Sequence, residues 1–196
     1  IGVDGSHDQR AARLEERHAY FLTILACMEL GLPYVPMGVD WPEPRVAQVQ
    51  SLAAVSETID RDRYNLFPTS PADVTPRNLS PELPLYIMFT SGTTGEPKGV
   101  LITRGNYTAY LNSLHRATPL PAPLRMLLQL EFTFDAAQVC LGLFLLNPGS
   151  ALRFSTAGRN LFQLAIEISK YKPGFIGMPP TSWTMILDGA LLKRYD

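Results

Sequence analysis

The sequence alternates short apolar runs with longer amphipathic segments, and this alternation restricts the fold more than any other feature. LYIMF (85–89), RMLLQL (125–130) and GFIGM (174–178) are short and nearly all apolar, as strands buried on both faces of a sheet are. The segments between such runs repeat apolar residues at three- and four-residue steps, which indicates helices. The alternation predicts an α/β fold in which helices flank a mostly parallel sheet.

The predicted elements can be placed along the chain. Helices are expected at 10–30, 104–114, 136–146, 161–170 and 182–192, with another that starts after Asp40 and carries Val46, Val49 and Leu52. Further short strands are expected at 1–3, 33–38 and 151–154. Gly31 supplies a C-terminal stop for the first helix, and Asn160 is suited to cap the N-terminus of a later one.

Residues 56–84 differ in composition from the rest of the chain. Five prolines and interleaved charged residues leave no sustained periodicity in this stretch. Such a composition is typical of loops and linkers. We therefore predict a proline-rich loop or linker over 56–84, between two parts of the α/β fold.

Composition excludes several classes of protein and partner. Hydrophobic residues make up 46% of the chain and charged residues 18%, which is typical of a folded globular protein. A net charge of -1 gives no electrostatic case for a nucleic acid or an anionic membrane as partner. No apolar run approaches the roughly 20 residues that span a bilayer, and the N-terminus has no signal-peptide layout. We expect a cytoplasmic protein whose two cysteines, Cys27 and Cys140, are buried thiols.

The most distinctive segment is YIMFTSGTTGEPKGV, from Tyr86 to Val100. Within ten residues it holds glycines, hydroxyl side chains and Lys98, directly after an apolar strand. Glycines allow successive backbone N–H groups to converge on an anion, while hydroxyls donate hydrogen bonds and lysine adds a charge. This composition predicts a phosphate-binding loop.

The segment is neither of two common nucleotide-binding motifs. The GxxxxGK[ST] pattern fails because Pro97 stands where its second glycine belongs, and GxGxxG fails because Thr94 interrupts it. The whole segment closely resembles the signature of adenylate-forming enzymes, the group that holds acyl-CoA synthetases, adenylation domains of nonribosomal peptide synthetases, and luciferases. The resemblance implies an ATP-dependent ligase in which Mg²⁺ assists. It assigns the ATP phosphates to Thr90, Ser91, Gly92, Thr93, Thr94, Gly95 and Lys98.

Two further segments resemble the members of this family that activate amino acids. One is LGLPYVPMGVDWPEPR (30–45), although Met37-Gly38 replaces the more usual Leu-Asp; the other is FTFDAAQV (132–139), in which Ala137 replaces a usual serine. The resemblance implies that Asp135 binds the α-ammonium group of an amino acid. It also implies that Ala136, Val139 and Gly177 line the pocket. An alternative stays open: Asp135 caps a helix, and the other three residues serve ordinary packing.

The resemblance extends over residues 1–196 as a middle part of the large N-terminal domain of such an enzyme. The chain opens on a strand without an initiating Met, so we expect it to start inside a domain. The family segments that hold adenine, ribose and Mg²⁺ have no counterpart in this sequence. No catalytic residue and no metal ligand is therefore assigned, and His7, His18 and His115 lack the spacing of a metal site.

Three functions remain open from the sequence. The first is activation of an amino acid to an acyl adenylate with release of pyrophosphate, followed in the full enzyme by transfer to a carrier-protein thiol. The second is an acyl- or aryl-CoA ligase, which has the same loop and a different acid. The third is a truncated, non-catalytic module that binds nucleotide or a protein partner. The sequence leaves the acid and the thiol acceptor unidentified.

Overall fold

The computed structural model describes residues 8–67, 78–91 and 96–189. The chain has the predicted α/β fold and divides into two compact units, Ile1–Tyr110 and Leu111–Asp196. The strands are β1 Gln9–Ala12, β2 Tyr34–Pro36, β3 Val55–Ile59, β4 Pro84–Ser91, β5 Pro97–Thr103, β6 Arg125–Leu128, β7 Ala151–Phe154 and β8 Phe175–Gly177. The helices are α1 Arg17–Leu30, α2 Glu43–Leu52, α3 Arg61–Asn65, α4 Arg104–Ala117, α5 Asp135–Leu146, α6 Leu161–Tyr171 and α7 Pro180–Asp188.

The first unit is built on a five-stranded sheet with the order β3-β1-β2-β4-β5. The pairs among the first four strands are parallel, and β5 is antiparallel to β4 at the sheet edge. Helix α2 covers one face, where its Val46 and Val49 pack with Ile87 and Phe89 of β4 in a buried cluster. Burial of this apolar surface is what holds the sheet and the helix together.

The second unit is built on a three-stranded parallel sheet with the order β7-β6-β8. On one side, α6 and α7 contribute Leu164, Ile168 and Ile186 to a cluster around Leu127 of β6. A separate cluster joins Leu143 of α5 to the β6 side chains. Because the strands are parallel, the connections that leave their carboxyl ends lie along one edge of the sheet.

The prediction of one helix over 10–30 is wrong at its start. Residues Gln9–Ala12 form β1, and α1 begins at Arg17. The strand lies between β2 and β3, and Arg10 donates from its guanidinium to Ser56 Oγ at 2.5 Å and pairs with Glu57 at 3.2 Å. Pairing on both edges of β1 stabilises a strand that its own residues do not favour.

The linker predicted over 56–84 contains regular structure, which corrects that prediction. Strand β3 occupies Val55–Ile59, and α3 follows at Arg61–Asn65, where Asp60 Oδ1 accepts from the Arg63 N–H. β3 is an edge strand of five residues, too short for its alternation to stand out among charged neighbours. Residues 68–77 of the predicted linker lie outside the described part of the chain.

Two smaller differences concern β5 and the two termini of the chain. The stretch Pro97–Thr103 is a strand that was not predicted, because Pro97 and Gly99 argue against one; an edge strand tolerates both residues. The last helix runs from Pro180 to Asp188, earlier than the predicted 182–192. The strand predicted at 1–3 lies outside the described residues. None of the described helices is long and apolar enough to cross a membrane.

Candidate functional site

The predicted phosphate loop connects the two strands of an antiparallel hairpin, β4 and β5. Thr90 lies opposite Lys98, and Ser91 opposite Pro97, at the end of the paired region. Met88 and Phe89 of β4 are buried, so the strand is fixed in the core up to the point where the loop begins. The sheet thus holds both ends of the loop in place.

Gly99 allows the two strands of the hairpin to approach each other. A Cβ atom at residue 99 would lie 3.1 Å from Ile87 Cγ2 and 3.1 Å from Phe89 Cζ. These distances are tighter than ordinary van der Waals contact, and the large side chains of β4 fill the space. The glycine after Lys98 is therefore explained by packing of the hairpin.

Thr90 and Lys98 share one face of the hairpin, because directly opposed residues of an antiparallel pair point to the same side. Both are exposed. The Thr90 hydroxyl lies 3.5 Å from the Lys98 carbonyl oxygen. Within the described ranges, no carboxylate pairs with the Lys98 ammonium group. Gly92, Thr93, Thr94 and Gly95 lie outside the described residues, and for Ser91 only the backbone is described.

An exposed ammonium group and a hydroxyl at the mouth of a hairpin fit an anionic ligand. Lysine is a compact cation with three donors. The single O–H of Thr90 donates to the Lys98 carbonyl oxygen and has to turn away from it to reach a ligand. The pair suits a phosphate group better than an apolar ligand. These two described side chains are therefore compatible with the ATP phosphates that the sequence predicts for this loop.

The predicted acid-binding residues lie in the second unit, at the carboxyl edge of its sheet. Asp135 and Ala136 begin α5, which follows the carboxyl end of β6, and Gly177 is the last residue of the neighbouring strand β8. The carboxyl edge of a parallel sheet is where α/β proteins bind their ligands. The fold thus brings α5 and the end of β8 to the same edge.

Asp135 is exposed at the first position of α5, and Phe134 is the N-cap residue. The Ala136 N–H donates to Asp135 Oδ1 at 2.7 Å, so the carboxylate does satisfy one backbone donor of the helix start. In the part of the chain that is described, no lysine, arginine or histidine pairs with Asp135. A carboxylate at a helix N-terminus is favoured by the helix dipole and leaves a negative charge available for a cation.

Val139 and Gly177 have packing partners of their own. Val139 is half-buried and packs against the cluster that contains Met126 and Leu143. A Cβ atom at residue 177 would lie 2.7 Å from Cys140 Sγ and 2.8 Å from Leu128 Cδ1. Because Gly177 has no side chain, α5 can approach β8 closely. Cys140 and Leu128 fill the space beside the glycine. Ala136, in contrast, is exposed.

Cys140 was predicted only as a buried thiol, and the structure places it at this edge. It lies four residues after Ala136, a spacing that puts both side chains on one side of α5. Burial raises the pKa of the Cys140 thiol to about 11. Cys27, in the first unit, is likewise buried, and its pKa is also raised to about 11 by burial. Both thiols are thus protonated at neutral pH and unsuited to act as nucleophiles.

A buried carboxylate near the same edge was missed by the sequence prediction. Glu167 of α6 is 6% exposed. It accepts hydrogen bonds from Ser155 Oγ at 2.6 Å, Thr156 Oγ1 at 2.6 Å and the Thr156 N–H at 3.1 Å. These residues follow the carboxyl end of β7. A single glutamate in an amphipathic helix gives no signal in sequence, because its hydroxyl partners lie in another element.

The described residues contain no cluster suited to a metal ion. Within residues 8–67, 78–91 and 96–189, no group of three or more histidines, cysteines, aspartates or glutamates is placed to hold one. The positions predicted for ATP and for an acid lie in different units of the chain.

The chain is similar to known proteins in sequence and in fold. Residues 50–196 match the family described as AMP-binding enzyme. The FR901469 synthetase of Dothideomycetidae sp. (strain 11243) is 34% identical over 134 residues, which cover 59% of this chain and 1% of that protein. Nonribosomal peptide synthetase 2 of Cochliobolus heterostrophus is 32% identical over 154 residues, 67% of this chain and 3% of that protein.

A solved structure with a similar fold is the N-terminal domain of FACL13 from Mycobacterium tuberculosis. Its TM-score is 0.79 at 20% identity, and the match covers 97% of this chain and 54% of that one. The chain thus spans about half of this domain and a few per cent or less of the two synthetases. The likeness establishes a common fold.

Proposed function

Because this chain belongs to the AMP-binding enzyme family, we propose that it is part of an adenylation domain that activates a carboxylic acid with ATP. The acid is an amino acid, and the product is its acyl adenylate. In the full-length protein, the acyl group then passes to the thiol of a carrier protein. Residues 1–196 form a middle part of the large N-terminal domain in this proposal.

The β4–β5 hairpin is the observation that carries the proposal. It presents Lys98 and Thr90 side by side on one exposed face, at the ends of the predicted phosphate loop. In the reaction, an oxygen of the acid forms a bond to the α-phosphorus of ATP, and the bond from that phosphorus to the pyrophosphate oxygen breaks. Lys98 offsets the negative charge that develops on the departing pyrophosphate.

Mg²⁺ supplies further charge neutralisation on the phosphates when it is bound. Its ligands are proposed to lie outside this chain. The protein has little covalent chemistry to perform in such a transfer, because alignment of the two reactants and stabilisation of charge account for the rate. A donor-rich loop held at both ends by one sheet is suited to that work.

Asp135 supports an amino acid as the substrate. Its carboxylate is at the carboxyl edge of the second sheet, and no cationic side chain among the described residues neutralises it. An ammonium group in a closed pocket needs such a fixed counter-charge, since desolvation of an unpaired charge is costly. Two similar proteins, the FR901469 synthetase and nonribosomal peptide synthetase 2, are synthetases by name, in keeping with an amino-acid substrate.

The test is exchange of labelled pyrophosphate into ATP by the full-length protein, with a panel of amino acids and the same acids without their α-amino group. We expect exchange that depends on one amino acid or a few similar ones. Asp135→Asn should lower kcat/KM for amino acids by about 100-fold or more, because it removes the partner of a desolvated ammonium group. Asp188→Asn, a change at an exposed aspartate of α7, is the matched control and should have no effect.

The other outcomes distinguish the alternatives. Exchange that is supported equally well by acids without an amino group, and that is indifferent to Asp135→Asn, would assign the enzyme to acyl- or aryl-CoA ligation instead. Absence of exchange with every acid would indicate a non-catalytic module; binding of Mg·ATP would then mark a nucleotide-binding module, and no binding a module for a protein partner.

A further inference from the structure

We propose that the outer edge of β5 pairs with an extended strand from the rest of the full-length protein, and that side chains of this strand fill the groove between α2 and the β4–β5 hairpin. This inference rests on the proposed place of residues 1–196 within a larger domain, and it is independent of the acid and of ATP. Among the described strands, β5 has β4 as its one neighbour. Its other edge therefore presents backbone donors and acceptors that a further strand can use.

An open groove of about 480 Å³ lies beside this edge, on the face of the first sheet that α2 covers. It is lined mostly by apolar residues of α2, β4 and β5: Leu52, Ile87, Phe89, Pro97, Gly99 and Leu101. Lys98 and Val100 alternate with the last three along β5, so their side chains point to the opposite face and their backbone borders the groove. Leu52 is 50% exposed. The groove is thus suited to apolar side chains.

The two outer strands of this sheet differ in how their edges are protected. On β3, Glu57 pairs with Arg10 at 3.2 Å and also with Arg63 of α3. The lysine and the proline of β5 lie at its loop end, and the segment GVLIT (99–103) has neither a charge nor a proline. Charges and prolines are among the means by which proteins keep an edge strand from pairing. β3 has such protection, whereas most of β5 has none.

Apolar surface borders the edge of β5 on the other face as well. Val100 points away from the groove and is 45% exposed, although Met88, opposite it in the hairpin, is buried. Successive side chains of a strand alternate between the two faces of a sheet. A strand laid along β5 would therefore cover Val100 with one set of side chains and Leu52 with the other. The edge fits a strand that is apolar on both faces, as strands inside an α/β sheet are.

The source of this strand is the part of the full-length protein outside residues 1–196. The N-terminal domain of FACL13 has a similar fold, and the match covers 54% of it. A domain of this fold thus holds nearly as many residues again outside the match. A strand of the same polypeptide pairs in an intramolecular step, which requires no recruitment of a second molecule. Its backbone bonds would join the rest of the domain to the hairpin that carries Lys98.

Hydrogen exchange of the full-length protein, followed by mass spectrometry, measures the pairing of this edge. With a strand in place, the amides of residues 98–103 should exchange as slowly as those of β2, which has a neighbour on each side. The edge strand β3 is the reference for an unpaired edge, and its outward amides should exchange at least about 10-fold faster. Exchange of residues 98–103 at the rate of β3 would overturn the inference, and this measurement needs no variant.

Leu52→Glu tests the groove, because a docked strand would bury the new carboxylate at a high cost in desolvation. Release of the strand should raise exchange of residues 98–103 by about 10-fold or more. Leu22→Glu is the matched control, since Leu22 is an apolar residue of α1 in the same unit and is 52% exposed. It should leave exchange of β5 unchanged. Equal exchange of β5 in both variants and the natural protein would show that no strand fills the groove.

A photo-reactive benzophenone amino acid in place of Leu52 identifies the occupant. We expect a cross-link to a segment of the same chain outside residues 1–196. A mixture of isotopically labelled and unlabelled protein separates cross-links within one chain from those between chains. A cross-link between copies, to residues 1–196 of the same chain, or none at all, would overturn the inference. None of these measurements depends on catalysis, so a protein with a paired β5 and no pyrophosphate exchange would contradict the proposed function alone.

Discussion

Among single residues, the clearest electrostatic feature is the buried carboxylate of Glu167. Burial on its own raises the pKa of this group, but the hydrogen bonds from Ser155 and Thr156 outweigh that effect, and the pKa lies below its ordinary value. The carboxylate therefore favours the folded state in its charged form. It ties α6 to the segment that leaves the carboxyl end of β7.

Glu167→Gln should lower the unfolding free energy at pH 7 by about 2 kcal/mol, because hydrogen bonds to a charged acceptor are replaced by weaker neutral ones. Since the pKa of Glu167 is lower in the folded state, its contribution is present above the pKa of an unfolded glutamate and is lost as pH falls through the folded value. The difference between natural protein and variant should thus shrink below about pH 4. Urea unfolding followed by circular dichroism between about pH 3 and pH 7 measures it.

Glu82→Gln provides the control for this prediction, since Glu82 is an exposed carboxylate in a turn before β4. It should change the unfolding free energy by less than about 0.5 kcal/mol at any pH. An equal loss in both variants, or a Glu167→Gln deficit that persists unchanged at low pH, would show that the hydrogen bonds of Glu167 do not have the stated role.

Among the helices and strands, periodicity in the sequence was a reliable guide to helices and a poor one to short strands. The helices now called α2, α4, α5 and α6 lie where the three- and four-residue steps predicted them. β1, β3 and β5 were missed. A strand such as Gln9–Ala12 is specified by its two neighbours in the sheet and by partners of Arg10 more than forty residues away. The local sequence pattern holds no information on either kind of contact.

The C-terminus of α1 offers a prediction for a single element. Gly31 has φ +74°, and its N–H donates to the Cys27 carbonyl oxygen. Gly31→Ala should lower the unfolding free energy by about 1 to 2 kcal/mol, because a Cβ atom is disfavoured in the left-handed region and would also lie 2.9 Å from Leu79 Cδ2, which has to shift. Gly174→Ala is the matched control, since no atom lies within 4 Å of a Cβ there and its φ is not in that region. Thermal unfolding of both variants measures the two changes in unfolding free energy. Equal changes would show that the backbone conformation of Gly31 is not what stabilises this helix end.

For the molecule as a whole, the sequence predicted the fold class and the family, and the structure added the arrangement of each unit. The loop motif was long enough to identify, because phosphate binding restricts many consecutive residues. The sequence signals for the proposed acid pocket are weaker. Its predicted positions were assigned by resemblance, and the filling of the space at Gly177 by Cys140 depends on how closely a helix and a strand pack.

The two predicted binding positions belong to separate units, Lys98 to Ile1–Tyr110 and Asp135 to Leu111–Asp196. An enzyme that joins an acid to the AMP part of ATP, with release of pyrophosphate, needs both groups for one reaction. The proposed function therefore predicts that substitutions in either unit affect the same step, and that neither unit alone supports it. Asp135→Asn should lower kcat/KM for the acid, and Lys98→Ala should lower kcat/KM for ATP.

The proposed function depends above all on the β4–β5 hairpin as the site that holds the phosphates of ATP. ATP-dependent pyrophosphate exchange by the full-length protein with Lys98→Ala measures this directly. We predict a loss of about 100-fold in kcat/KM for ATP, the scale expected when one preorganised donor to the developing charge is removed. Lys170→Ala, at an exposed lysine in the last turn of α6, should leave exchange unchanged. Exchange by Lys98→Ala at the rate of the natural protein would show that the hairpin does not hold the phosphates.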